Sequence, residues 1–332
     1  MELRRCALSG QGEMMFLEHF KITGLAMAQI FILAALGYIL VRKNLLSHAG
    51  LDALSRLVIQ IIFPALIFTQ LLQNFSFSLY PRWWIFPLIS LMITAAGLIV
   101  GLALLKFLKL KTHRLQFLSL VAFQNSGYLP LAMAAAIFSG QEANNIFIFI
   151  FLFLLGFDLV AWSLGIYLLT YEKQAKFKLQ SIFSPPVIAN LATLTLIALG
   201  LNKFIPAGVL KPLQMVGNCT LPLAMLVVGG NIALVHLKNV DKKTIFFFLL
   251  GKLVILPALG ICIVLKLHLA QLFGFLIVMQ LAMPSATSLS VIIRHYRKED
   301  ALISQGVFFS HIISLLTIPL FLSLYLSLVV LK

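Results

Sequence analysis

Two runs of polar and proline residues, Asn125-Ser126-Gly127-Tyr128-Leu129-Pro130 and Met283-Pro284-Ser285-Ala286-Thr287-Ser288, interrupt stretches that are otherwise almost wholly apolar. The chemistry such runs support is recognition of an anion rather than bond-making. A helix broken inside lipid frees backbone amides and carbonyls, and these persist only where protein or a wet cavity satisfies them. The restart of each broken helix presents unpaired N–H groups and the positive end of a dipole, which together seat a carboxylate without a buried Arg. Asn125, Ser126 and Tyr128 add side-chain donors on one run, with Pro130 behind them. Ser285 and Thr287 do so on the other, beyond Pro284. Gln280, one turn before Pro284, faces the same space.

Asp158 is the one acidic residue deep within an apolar stretch, and a carboxyl there is costly enough to be a functional candidate. It could carry a proton together with an anionic substrate, or ligate Na⁺ with backbone carbonyls; a structural hydrogen bond is the plain alternative. His311 suits proton exchange near neutrality, against an ordinary helix-to-helix hydrogen bond. Gln60 and Asn218 each precede a proline, Pro64 and Pro222, by one turn and are expected to face the same seam. Lys252 lies some eight residues into its stretch, where its stem could snorkel. Gly229 and Gly230 are read as allowing close helix packing, with Asn231 following them. Cys6, Cys219 and Cys262 are isolated, with no CxxC or Cys/His spacing, so no metal site, disulfide framework or cofactor is expected.

The elements that position these residues are membrane helices. The chain has 332 residues, 61% hydrophobic and 11% charged, with a mean hydropathy of +1.04, far from the range of soluble domains. Ten apolar stretches read as spans, at 22–41, 51–72, 83–107, 115–138, 145–171, 185–201, 213–235, 244–265, 272–293 and 302–330. The net charge of +15 is scattered through short loops, which argues against a nucleic-acid partner. Loops after the odd-numbered spans, counted with Lys106 at the end of the third span, carry 15 Lys and Arg, against 8 at the termini and in the even-numbered loops. The positive-inside rule then puts both termini on the non-cytoplasmic side of a cell membrane, the inner membrane in a Gram-negative cell.

Ten spans divide into five plus five, and because five is odd the second half crosses in the opposite sense, giving an inverted repeat. Pro64 and Pro222 lie 158 residues apart, and Pro130 and Pro284 lie 154 apart. The expected organisation is an N-terminal segment (1–21), a first five-helix repeat (22–171), a cytoplasmic linker (172–184) and a second repeat (185–332).

Over most of its length the chain resembles the auxin efflux carrier family, the bacterial relatives of the plant auxin exporters. The resemblance rests on Pro64-Ala65-Leu66-Ile67-Phe68, Asn125-Ser126-Gly127-Tyr128 with a following proline, Ala282-Met283-Pro284-Ser285-Ala286-Thr287-Ser288, and Thr317-Ile318-Pro319-Leu320, in that order. It implies an all-α membrane fold of ten helices in two inverted repeats, with spans 4 and 9 crossing at their breaks. Spans 3–5 and 8–10 would form a mobile transport domain; spans 1, 2, 6 and 7 would form a scaffold that also makes a homodimer surface. Asp158 precedes Trp162 by four residues, similar to the plant carriers' fifth span, where a polar substrate-facing residue precedes a Trp by that interval. The proline after Asn125 stands about two residues nearer than in many members.

The expectation is a secondary transporter, not an enzyme, for a small organic anion such as a mono- or dicarboxylate, moving by an elevator-type shift with H⁺ or Na⁺ as coupling ion. A channel or ligand sensor on the same fold is the alternative. An intramembrane transferase would need a cluster such as DxxD, which the sequence does not contain.

Overall fold

The computed structural model describes residues 2–108, 110, 112–170, 183–235, 237, 240–295 and 300–330. The expected linker at 172–184 falls outside these except for its last two residues. All regular elements among the described residues are helical: α1 (Glu2–Arg42), α2 (His48–Leu57), α3 (Phe63–Asn74), α4 (Ile85–Leu108), α5 (Arg114–Ala122), α6 (Tyr128–Ile137), α7 (Gly140–Val160), α8 (Ile166–Thr170), α9 (Pro185–Ala198), α10 (Ala207–Asn218), α11 (Thr220–Ala233), α12 (Lys242–Leu250), α13 (Leu256–Lys266), α14 (Gln271–Ala282), α15 (Ser288–His295) and α16 (Ala301–Val330). Single π turns join α2 to α3 (Val58–Ile62), α7 to α8 (Ala161–Gly165) and α12 to α13 (Gly251–Ile255), so each of these pairs runs on as one rod.

Seven of the resulting helices are long and apolar enough to cross a membrane, and three shorter apolar ones accompany them, Tyr128–Ile137, Pro185–Ala198 and Gln271–Ala282. Two of the short ones flank the polar breaks; the third opens on Pro185-Pro186 and closes at Gly200, which adopts a left-handed conformation with φ of 70°. Ile32, Met92, Ile99, Leu102 and Leu316 stand exposed on the outside of the bundle. Such an outward apolar surface is what lipid requires, and the protein is membrane-embedded. The first helix begins ahead of the expected residue 22, and 12–21 continue the same rod.

With no hydrophobic drive between helices in lipid, close backbone approach supplies the packing. A Cβ on Gly37 would strike the backbone of Leu226, and one on Gly229 the backbone of Ala34, so α1 and α11 touch main chain to main chain. A Cβ on Gly217 would come within 2.8 Å of Leu66 Cα, which seats α10 on α3. The packing role expected of Gly229 and Gly230 is therefore met. Two of the π turns precede a proline by two residues, Pro64 and Pro257. Proline has no N–H to return to the preceding turn; the residue before each one reaches a carbonyl five residues back instead, Phe63 to Val58 and Leu256 to Gly251.

Candidate functional site

α5 stops at Ala122 and α14 at Ala282, and the two chains then meet in an antiparallel bridge that pairs Gln124 with Ser285. Asn125 N–H donates to Pro284 O at 2.8 Å, and Ala286 N–H to Phe123 O at 3.0 Å. Each break thus completes backbone groups that the other leaves open. Ser285 Oγ donates to Leu120 O at 2.6 Å, and Ser285 N–H donates to Ser310 Oγ at 3.3 Å. Gln280 Nε2 donates to Ser126 O at 3.1 Å. After the bridge the chains restart as α6 and α15, whose N-termini are positive dipole ends; in α15 the N–H groups of Leu289 and Ser290 return to Ala286 O and Thr287 O.

A cavity of about 150 Å³ opens at these restarts. Gln124, Asn125, Ser126, Gly127 and Tyr128 line it from the first break, and Ala286, Thr287 and Ser288 from the second. α7 and the π turn after it contribute Asp158, Ala161 and Trp162; α2 and its π turn add Ser55 and Ile59; Ser184, Pro186 and Asn231 complete the polar and small lining. Among the described residues, no cationic side chain lines the cavity. Asp158 is half-buried there beside Tyr128. Gln124 is fully buried, yet neither polar atom of its carboxamide has a hydrogen-bond partner among the described residues.

The structure brings together Asn125, Ser126, Tyr128, Thr287 and Asp158 and keeps the other sequence candidates apart from the cavity. Ser285 and Gln280 are fully buried and spend their donors on the carbonyls of Leu120 and Ser126, outside the cavity lining. His311 is buried behind Asn125, its Nε2 3.5 Å from Asn125 Nδ2 and its Nδ1 2.8 Å from Val307 O. A carbonyl only accepts, so Nδ1 carries the proton, and in the neutral ring Nε2 is the acceptor facing Asn125. Pro284 sits at the bridge, whereas Pro130 is the third residue of α6, where its missing N–H is harmless. The crossing pair lies 285 − 124 = 161 residues apart, so Pro130 and Pro284 are not equivalent points of the two breaks.

Gln60 and Asn218 are exposed and do not line this cavity. The reason is helical phase. Ile59 and Phe63 are the cavity-facing residues of their rod, and one residue on, about 100° round, Gln60 turns outward. Gly217 is the residue pressed on α3, which sends Asn218 away by the same step. Lys252 does not snorkel: it is fully buried, and its Nζ donates to Val121 O at 3.0 Å. Residues that sequence reasoning passes over are Gln124, Ser55, Ser184 and Ser288. Gln124 adjoins the first polar run, and extending that run by one residue would find it; Ser288 already closes the second run but is given no role, and the two other serines carry no sequence signal.

A helical membrane protein with a cavity of mixed polar and apolar lining at two crossed, broken helices is built as a transport protein is built. The sequence matches the family described as membrane transport protein over residues 24–179 and 169–322. The chain belongs to this family, that of the auxin efflux carriers. It is 23% identical to Protein PIN-LIKES 1 of Arabidopsis thaliana over 374 residues, spanning 90% of this chain and 77% of that protein. It is 26% identical to an uncharacterized transporter of Methanocaldococcus jannaschii over 304 residues, 88% of this chain and 95% of that one. A further uncharacterized transporter, from Methanothermobacter thermautotrophicus, is 27% identical over 295 residues, 88% of this chain and 94% of that one.

Proposed function

We propose that this chain is a secondary transporter that moves a small organic anion, a mono- or dicarboxylate, through the cavity at the crossing. The carrying observation is Gln124, a residue of the cavity lining whose wholly buried carboxamide has no partner among the described residues. A buried amide left unpaired costs about 1–3 kcal/mol, and a ligand that accepts its N–H removes that cost. The N-termini of α6 and α15 supply a positive field without a cation. The cavity is small beside the roughly 300–1,000 Å³ of sites for drug-sized ligands, which suits a molecule of a few carbons.

Asp158 gives the coupling. An ionised Asp158 repels a carboxylate in the same cavity, so the two share it most favourably when Asp158 carries a proton. Substrate and H⁺ then travel together. The ten helical segments act as two inverted five-helix repeats, and the halves that contain the crossing shift as an elevator against α1, α2–α3 and α9–α11. The latter set also forms a homodimer surface, and both termini lie outside the cytoplasm of the cell membrane, as the loop charges require.

Uptake of a panel of labelled carboxylates into proteoliposomes, with H⁺, Na⁺ and voltage gradients imposed in turn, tests this reading. Saturable uptake of at least one carboxylate, accelerated by an inward H⁺ gradient, is the expected result. Binding without concentrative flux would mark a sensor or channel. Acceleration by Na⁺ alone would give Asp158 to Na⁺. Absence of saturable flux for every organic anion would overturn the proposal.

A further inference from the structure

Lys252 has no part in the transport scheme above, yet it is among the most completely buried large side chains of the molecule, 1% exposed. The π turn Gly251–Ile255 carries it, and its Nζ reaches Val121 O at 3.0 Å, one residue before the end of α5. No carboxylate pairs with it among the described residues, whose one such ion pair is His113 with Asp300. An ammonium this deep in a bundle needs an electrostatic reason. The reason on hand is the end of α5: a helix that stops inside the protein leaves unsatisfied carbonyls and about half a negative charge at its C-terminus.

The neighbouring carbonyls of that end are taken by the crossing partner, Leu120 O by Ser285 Oγ and Phe123 O by Ala286 N–H. Val121 O is left to Lys252, which comes from a third helix. Room for the ammonium exists because α4 offers Gly97 beside this carbonyl; a Cβ there would stand 3.0 Å from Val121 O and 2.7 Å from Ala122 Cα. Ends of broken membrane helices are where transporters hold coupling cations on backbone carbonyls.

We propose that Lys252 is a tethered cation: its ammonium stands at the C-terminal end of α5 where a free monovalent cation would otherwise be held, and it fixes the crossing through the Val121 carbonyl. It is a positioning residue, outside the cavity lining, and its charge is set against that of the helix end. As applied to transport, and resting there on the reading above, this means that anion uptake needs no Na⁺ at this end.

The test compares Lys252→Ala, which empties the space, with Lys252→Met, which fills it with an uncharged stem of similar length. Thermal unfolding of the purified full chain is followed by the fluorescence of Trp83, Trp84 and Trp162 in choline, Na⁺ and methylammonium chloride at equal ionic strength. The alanine variant is expected to unfold below wild type in choline and to be restored toward it by methylammonium or Na⁺. The methionine variant is expected to unfold low in all three, and to lose uptake on the order of tenfold. An alanine variant indifferent to the cation overturns the proposal, as does a methionine variant with wild-type uptake and unfolding. Should the alanine variant not accumulate, the methionine variant decides alone. The unfolding measurements involve no substrate, so they judge Lys252 even if no carboxylate is transported.

Discussion

Ser285 and Asn125 each belong to one of the two polar runs, and the proposed reading gives them opposite duties, which a pair of alanine substitutions separates. Ser285→Ala deletes the donor of a 2.6 Å hydrogen bond to Leu120 O, with donor and acceptor residues both wholly buried. Alanine keeps nearly the same volume, so no sizeable cavity forms. The loss is the orphaned carbonyl, about 1–3 kcal/mol, which in a chain of 332 residues corresponds to a fall of roughly 1–5 °C in unfolding temperature. Ser285 is not in the cavity wall, so the half-saturation concentration for substrate stays at the wild-type value.

Asn125→Ala reverses the pattern. Its side-chain partner His311 is 3.5 Å away, at the limit of a hydrogen bond, and its backbone N–H to Pro284 is untouched by the change. The stability loss is below about 1 kcal/mol. A hydrogen bond to a carboxylate is worth about 1.5–3 kcal/mol, so half-saturation rises roughly 10- to 150-fold. Unfolding by intrinsic fluorescence and concentration-dependent uptake in proteoliposomes read the two quantities on the same preparations. A Ser285→Ala variant with unchanged unfolding and impaired half-saturation would refute the assignment of duties, as would an Asn125→Ala variant that only unfolds early.

Asp158→Asn keeps the cavity's shape but cannot release a proton, so uptake loses its response to an inward H⁺ gradient; normal stimulation by that gradient would remove Asp158 from coupling. Thr23 Oγ1 and Ser323 Oγ lie 2.9 Å apart between α1 and α16, across the seam that an elevator must shear. In a background without Cys6, Cys219 and Cys262, the Thr23→Cys/Ser323→Cys pair should stop uptake when oxidised and regain it on reduction, and undiminished uptake by the cross-linked protein would rule out sliding here. Gly229→Leu drives a side chain into the Ala34 backbone and should prevent accumulation of folded protein, measured as monodisperse yield in detergent. Asp241 caps α12 through Lys243 N and Thr244 N, and alanine there should cost about 1 kcal/mol. The Thr244 side-chain hydrogen bond, with those from the backbone, holds this carboxylate's pKa below the ordinary aspartate value. Its contribution is therefore complete above the unfolded pKa and is lost as pH falls through the lowered one, so the thermal unfolding of wild type and Asp241→Ala should converge in acid.

Much of this architecture is legible in the sequence because lipid forbids unsatisfied backbone. Polar runs at 125–130 and 283–288 stand out against apolar neighbours, and both prove to be breaks. Helical phase is not legible in the same way. A helix that is apolar on every side gives no stripe from which to read direction, so Gln60 and Asn218, each one residue from a true contact, read as inward-facing and are not. The bridge at Gln124 is hidden for a related reason: Pro130 marks a helix's first turn and not the crossing, so proline spacing misplaces the symmetry point by 161 − 154 = 7 residues. The π turns have a partial signal in Pro64 and Pro257, but the one beside Asp158 has no proline two residues on and no visible mark.

The three π turns share one consequence. Each adds a residue to a helical turn and rotates the rest of the rod, and each presents a side chain to the crossing or its cavity: Ile59, Trp162 and Lys252. π turns recur at functional sites because the extra residue re-aims side chains without ending the helix. The electrostatics of the crossing depend on that aim. Two negative helix ends meet at Gln124 and Ser285, and among the described residues Lys252 is the cation applied to them; two positive ends open on the cavity, and Asp158 is the carboxyl facing them. On the proposed reading, substrate and Asp158 compete for one positive field. A carboxylate entering the cavity would then displace the charge of Asp158 rather than add to it, and protonation is the displacement with the least rearrangement. Coupling of this kind needs one acid near two helix starts, and α6, α15 and α7 place Asp158 in the lining beside both.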